Sequence, residues 1–476
     1  MAFGSADITG EEQITITQDG GTVYYRFLTG EDKENNISLL GGGASQTVTA
    51  TYTGDSYYVK PTVKSLTDGF GNVVSQTYLK HGASTILDKK TYKYDLAGNV
   101  LETKGGRTYT ENLGDYTTKA EYDFQGNPIK TYRADGSSQT NTYDSYGNLL
   151  SSTDYLGNTT TYTYDRLNRQ IKVTAPFDDS QSSKTMTYYD NNGNVVKTKE
   201  LVNVTNSAEE YRTTEYEYDS RNRLVTVKVN DGSRDIYTQY AYDNAGNPVK
   251  VVTGQTSKLS NLYGAIPDEA TYTNYEYDRF GNVTKETDAL GNSEYTYYDW
   301  LSRPTENIDK NGNGTLYSFN AYGSMTSCIK EDETVTNTYS KNNLLVKSQK
   351  GNDVITYTYD DFGNVKTENN NGVINTYTYD ADGNRKTFNQ KEGNTTYINA
   401  SYTYDNLNRV TKISHSNGIS ANYTYDANDR VIEEVNNNVE NKYTYNKGGT
   451  LFNITTTSTL NDVFEGTAIY HVYSYN

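Results

Sequence analysis

A Tyr-Asp pair, followed two residues later by Gly-Asn, returns so regularly that it dictates an array before any single residue is interpreted. It stands at Tyr94-Asp95 with Gly98-Asn99, Tyr277-Asp278 with Gly281-Asn282, Tyr359-Asp360 with Gly363-Asn364 and Tyr379-Asp380 with Gly383-Asn384, and with Asn in place of Gly after Tyr164-Asp165. Counting the second aromatic of each Tyr-x-Tyr-Asp unit, or its degenerate equivalent, gives sixteen units from Tyr94 to Tyr445, mostly 20 or 21 residues apart with occasional longer steps. A fixed period of that length describes stacked copies of one small unit, each touching only its neighbours, and it overrides the usual division of 476 residues into compact domains.

The unit reads as strand, turn, strand, turn. Tyr377 and Tyr379 are two residues apart, so in a strand they share one face, while Thr376 and Thr378 take the other. Both residue types favour strands. Asp380 then opens a type I turn and Gly383 closes it with positive φ. Three units put Asn in the glycine's place, at Asn168, Asn222 and Asn408, and Asn is the residue other than Gly that best tolerates the left-handed region. A second turn falls midway between Tyr-Asp pairs, as at Asp154-Tyr-Leu-Gly157-Asn158 and Asp288-Ala-Leu-Gly291-Asn292. No stretch of a dozen residues carries the 3.6-residue period with caps. The expected fold is all-β: tandem hairpins forming one long antiparallel ribbon that curls, because sheets twist with a fixed hand.

Residues 1–85 follow the pattern loosely and read as a β-rich leading segment ahead of an array over 86–476. A hairpin is expected about Asp19-Gly20-Gly21, a loop over 31–45, and a decayed turn at Asp68-Gly69-Phe70-Gly71-Asn72. Sixteen units supply about 32 strands, a ribbon about 155 Å long that would close into one ring about 50 Å across.

Composition limits what such a ribbon does. Apolar residues make up 34% and mean hydropathy is -0.85, so cohesion falls to the 49 tyrosines, whose rings bury while their hydroxyls stay hydrogen-bonded. A net charge of -17 with no Lys/Arg stripe argues against nucleic acid and anionic membrane as partners. No apolar run is long enough to span a bilayer, and the first residues lack a signal-peptide pattern. The sequence reads as an excised piece of a longer protein.

The recurring Tyr-x-Tyr-Asp-x-x-Gly-Asn motifs, as at Tyr275-Glu-Tyr277-Asp278-Arg-Phe-Gly281-Asn282 and Tyr357-Thr-Tyr359-Asp360-Asp-Phe-Gly363-Asn364, closely resemble the YD repeats of RHS (rearrangement hotspot) proteins. That family includes wall-associated polymorphic toxins, cocoon subunits of insecticidal toxin complexes and teneurin shells. The resemblance covers about residues 86–476. It implies a hollow β-shell, secreted or at the bacterial cell surface or wall, whose partner is the rest of the same polypeptide including a C-terminal toxin passenger. The family's Asp-Pro-x-Gly closing segment is absent, and no Asp-Pro occurs anywhere in the chain, so self-cleavage has no residues here.

Nothing in the chain assembles into a catalytic or cofactor site. Asp309-x-Asn311-x-Asn313-Gly314 matches the first half of a calcium loop, but the twelfth position is Asn320 instead of Glu, and the segment coincides with a midway turn. His81, His415 and His471 are far apart, and none lies near Cys328, which reads as a strand-packing residue. No metal, no cofactor and no enzymatic activity are expected. The alternative to a shell is an extracellular adhesion module that stacks Tyr faces on cell-surface glycans; cross-strand cohesion is the competing use of the same rings. The insertions at 199–214 and 251–274 are the places where a specific contact would lie.

Overall fold

The computed structural model describes residues 61–458, apart from 81–82, 106–116, 179–180, 206–207, 231, 265 and 268–269, together with the backbone of strands at 12–18, 21–27, 46–53 and 469–471. It contains 38 strands, from β1 (Glu12–Gln18) to β38 (Ile469–His471), and no helix among the described residues. Each strand pairs antiparallel with the one before and the one after it, and no pairing joins the first strand to the last. The fold is the expected one: all-β, one unclosed ribbon of tandem hairpins.

The leading strands belong to the same series. β1 pairs with β2 (Gly21–Phe27) with Gln18 opposite Gly21, β2 with β3 (Gln46–Thr53), and β3 with β4 (Thr62–Thr67). Residues 31–45 lie outside the described residues. The turn expected to be decayed at 68–72 is complete: Gly71 has φ +88°, and the Asp68 carboxylate accepts from Phe70 N, Asn72 N and Asn72 Nδ2.

Every Tyr-Asp hairpin carries a feature that the sequence pattern did not announce. In β6 (Ile86–Tyr94) and β7 (Val100–Lys104), Tyr94 faces Val100 but Lys93 faces Glu102, so Leu101 is an extra residue. The same slip follows the Tyr-Asp turns at Tyr164, Tyr277, Tyr359 and Tyr379. A β-bulge bends its strand and adds right-handed twist. Placed once per unit beside the same turn, it bends the ribbon repeatedly in one sense.

The ribbon therefore winds back onto itself. The turn between β9 (Pro128–Tyr132) and β10 (Ser138–Tyr143) meets the turn between β34 (Ser420–Tyr425) and β35 (Val431–Asn436), 25 strands later. The turn after β5 (Val73–Leu79) meets the one after β28 (Asp353–Tyr359), 23 strands later. At about 4.8 Å per strand, 24 strands give a circuit of about 115 Å, or a diameter of at least about 37 Å, which strand tilt widens. The coil is tighter than the single 32-strand ring expected from counting, because the bulges add curvature that a count of strands does not contain, and the chain makes more than one circuit.

The wall is one sheet thick, and few side chains are sealed from water. In β12 (Thr159–Tyr164) Tyr162 and Tyr164 are half-buried, and Thr161 and Thr163 on the other face are exposed. The largest group of buried side chains among the described residues lies where the 251–274 insertion folds back over β17 (Leu224–Asn230), β18 (Asp235–Tyr242) and β19 (Pro248–Gln255). Thr226, Gln239 and Val252 form one cross-strand row beneath it, and Val252 is fully buried. The Gln239 amide clamps the insertion's backbone, accepting from Leu259 N at 2.7 Å and donating to Leu259 O at 3.1 Å. By contrast, the 199–214 insertion only lengthens a hairpin, giving the 11-residue strands β15 (Val195–Thr205) and β16 (Ala208–Tyr218).

Candidate functional site, the turn edges and the seam between coils

The Tyr-Asp turns line one edge of the ribbon and the midway turns line the other. At Asp95, Oδ1 accepts from Ala97 N and Asn99 N at 2.9 Å each, and Oδ2 accepts from Asn99 Nδ2 at 2.8 Å. Asp278 and Asp360 repeat these bonds with Asn282 and Asn364, and Asp380 with Asn384. Gly98, Gly281, Gly363 and Gly383 stand at φ between +85° and +89°, where a Cβ would be strained. The amide of Asn99 holds the Asp95 carboxyl below its ordinary pKa, and Asn282 does the same for Asp278.

The tyrosine of each pair does more than line a face. Tyr94 Oη donates to Val73 O at 2.8 Å, Tyr164 to Leu149 O at 2.9 Å, Tyr277 to Pro248 O at 2.8 Å, Tyr359 to Leu345 O at 2.5 Å and Tyr379 to Val365 O at 2.9 Å. Each acceptor is the first residue after the preceding unit's turn, beside that unit's bulge. A bulge locally disrupts the ladder, and the next unit's hydroxyl supplies a partner there. Burial raises the pKa of these tyrosines. Phe319 occupies the corresponding position of its unit and has no hydroxyl to give. Removing one latch, Tyr379→Phe, is expected to cost about 1 kcal/mol, read as a lower urea midpoint with faster amide exchange around Val365.

A second tie runs in the opposite direction. Where Asx-Arg or Ser-Arg replaces Gly-Asn, the left-handed residue is Asn168, Asn222, Ser302, Asn408 or Asp429. At the first of these, Arg169 binds Asp165 Oδ2 through Nε at 2.7 Å, donates to Asp190 O of the next turn at 3.0 Å, and lies 4.5 Å over the Tyr189 ring. Arg223, Arg409 and Arg430 do the same over Tyr242, Tyr425 and Tyr445, and Arg303 does so over Phe319. The arginine thus bridges two units through a carbonyl and a ring, while Gly-Asn turns reach the next unit by a single amide bond, as from Asn148 to Asn168 and from Asn384 to Asn408. The recurrence of Arg directly after the turn residue was the available signal in the sequence.

The two edges meet at the seam, Tyr-Asp turns of the later coil against midway turns of the earlier one. Arg133 donates to Ala427 O at 3.0 Å and pairs with Asp429, Asn428 Nδ2 donates to Asp154 Oδ2 at 2.8 Å, and Gly448 N donates to Phe177 O at 2.9 Å. A Cβ on Gly448 would lie 3.4 Å from the Phe177 backbone, so glycine permits this approach. Phe362 packs on Tyr78 with ring centroids 6.2 Å apart, and Lys80 faces Asp361 at 3.9 Å. Asp88 is buried, and burial raises its pKa, with Asp382 adding to the effect.

The remaining candidates sit in ordinary places. Asp309 accepts from Asn311 N, Asn313 N and Asn313 Nδ2 within its own midway turn, and among the described residues no cluster of three His, Cys, Asp or Glu side chains is placed to hold a metal. Cys328 lies in a strand opposite Tyr317 and Val335. His415 opens a midway turn, and the side chains of His81 and His471 lie outside the described residues.

The pattern of the family described as RHS Repeat matches residues 143–180, which hold two Tyr-Asp turns and the midway turn between them. The chain carries RHS repeats. The tRNA3(Ser)-specific nuclease WapA of Bacillus spizizenii is 28% identical over 287 residues, 57% of this chain and 11% of the nuclease. Among solved structures, the Photorhabdus luminescens Tc holotoxin pore superposes with a TM-score of 0.52 at 16% identity, over 97% of this chain and 24% of that one. TcdB2-TccC3 gives 0.51 at 13% identity, over 95% and 26%. These likenesses establish the fold over nearly the whole ribbon, and the chain spans only a small part of each relative's length.

Proposed function

We propose that this RHS-repeat chain is a wall segment: a structural module of a hollow β-shell that sequesters a toxin passenger carried by the same, longer polypeptide of a secreted or cell-surface bacterial protein. The observation that carries the reading is the seam. A ribbon that returns after 23 to 25 strands and bonds edge to edge with itself builds a continuous wall, whereas a flat binding surface needs no such joint. The repeat residues Tyr94, Asp95, Gly98 and Asn99 and their equivalents serve as wall-building parts in this reading, with residues 1–85 starting the array. The toxin-related relatives support the passenger.

The test uses the full-length polypeptide. Added protease is expected to spare the passenger in the intact protein and to cut it once the seam is opened by Arg133→Glu with Asn428→Asp, which sets like charges against Asp429 and Asp154. Equal passenger cleavage with the seam intact and opened overturns encapsulation.

A further inference from the structure

The tyrosine latch recurs along the array with one gap. Of the sixteen units, nine before Phe319 donate a hydroxyl to the preceding unit. The six after it do so as well. Phe319 alone breaks the series among the described residues. The gap lies inside the array, so it does not depend on where the ribbon begins or ends.

Other losses fall at the same boundary. β23 (Pro304–Ile308) and β24 (Gly314–Phe319) pair only towards their midway turn, with Glu306 opposite Leu316, Asn307 opposite Thr315 and Ile308 opposite Gly314. The stretch nearer the Tyr-Asp edge is the one a latch closes in other units. Here its acceptor position is Pro304, and proline has no N–H to donate. Pro128 and Pro248 occupy the same place and receive the hydroxyls of Tyr143 at 3.2 Å and Tyr277 at 2.8 Å. Ser302 takes the left-handed position at φ +60°, where the other arginine-bearing turns have Asn or Asp. Asn320 replaces the turn aspartate, so Tyr322 N and Ser324 N bond to a neutral oxygen at 2.9 and 3.0 Å, a weaker partner than a carboxylate. Arg303 remains: it donates to Asn320 O at 3.0 Å, lies 5.0 Å over the Phe319 ring, and is oriented by Asp299 through Nε at 2.7 Å. Arg169, Arg223, Arg409 and Arg430 each stand beside a latch; Arg303 does not.

We propose that the boundary between β23 and β24 is the opening joint of the ribbon, the fixed place at which the wall parts first. Its two strands splay from the Tyr-Asp edge towards the midway turn at 309–313, while the latched boundaries on either side stay shut. Arg303 is the catch that holds it closed. In a repeat array each unit touches only its neighbours, and local opening starts where the interface is weakest. A phenylalanine for a tyrosine, opposite a proline, turns a uniform wall into one with a defined point of parting. Because the wall is one sheet thick, a gap there connects its two sides. The inference rests on the bonding of the ribbon and holds whatever the wall encloses.

Native-state hydrogen exchange, followed by mass spectrometry on the full-length polypeptide and corrected for sequence, tests the joint. Residues 304–319 are expected to exchange at least about fivefold faster than the latched equivalents 283–298 and 345–359, the factor that one missing hydrogen bond sets. Phe319→Tyr supplies the absent hydroxyl and brings 304–319 to the rate of its neighbours, leaving 283–298 unchanged. Tyr298→Phe creates a second fast segment at 283–298, raised about fivefold. Arg303→Gln speeds 304–319 further, by at least about tenfold, because a charged donor is lost. The proposal is overturned if 304–319 exchanges no faster than the latched segments, if Phe319→Tyr leaves its rate unchanged, or if Arg303→Gln speeds all segments alike.

Discussion

Acidification is expected to leave the urea midpoint of this chain nearly constant from neutral pH to about pH 5 and to lower it steeply below about pH 4, because a series of turn aspartates with lowered pKa titrates in the same window. Hydrogen bonds from the residues two and four positions on hold Asp95, Asp123, Asp144, Asp190 and Asp278 below the ordinary value, with the asparagine amide as the largest cause, and Arg169 and Arg303 act likewise on Asp165 and Asp299. A folded-state pKa below the unfolded one means that the unfolded chain binds more protons between the two values. The stabilisation is then complete above the unfolded pKa and is lost as pH falls through the folded one. Asp88 works against this trend: its raised pKa makes the first stretch of seam tighter as pH falls and looser as pH rises through that value. One such group against a series of turn aspartates leaves the net direction unchanged. Tyrosine fluorescence and circular dichroism at a series of pH values measure the midpoint, and a gradual decline between pH 7 and 5 would contradict the account.

The second large effect is local. Val252→Asp places a carboxylate at the one large side chain that is fully buried among the described residues, between Gln239 and the strand partner Tyr272, with no cation beside it in the row. Leaving a charge buried and unpaired costs at least about 3 kcal/mol. The 251–274 insertion is expected to lift off first, since its attachment rests on the Gln239 amide, Tyr263 bonded to Tyr242, and the row beneath. Limited proteolysis should then cut within the insertion under conditions where the wild type resists, while the regular units on either side keep their amide protection. Simultaneous loss of protection along the whole array would show that units are coupled far beyond their neighbours.

The residues that announce the fold are those whose chemistry is local. Asp380 and Gly383 carry a turn in their side chain and their permitted φ, and the alternation of Thr and Tyr states a two-faced strand, so the ribbon and its hairpins are legible before any coordinate. The bulge after each turn is not, because Val100 and Leu101 have no side-chain signature distinguishing an extra residue from a paired one. With the bulge goes the curvature, which is why counting strands gave too wide a ring. The tyrosine latch was half legible: Tyr94 was placed on the sheet face, but its acceptor, Val73 O, is a backbone atom of another unit, and backbone atoms leave no trace in composition. The seam joins residues 271 to 296 positions apart, and no periodicity of 20 or 21 residues encodes which midway turn will meet which Tyr-Asp turn.

The parity of that offset has a genetic consequence. Both 23 and 25 are odd, so a Tyr-Asp turn always lands on a midway turn of the coil beneath. Losing or duplicating one whole unit moves the register by two strands and returns the same kind of turn to the same kind of partner. Unequal exchange between near-identical units can therefore lengthen or shorten the wall across generations without changing its joinery, whereas an event that removes a single strand swaps the two edges and sets like against like.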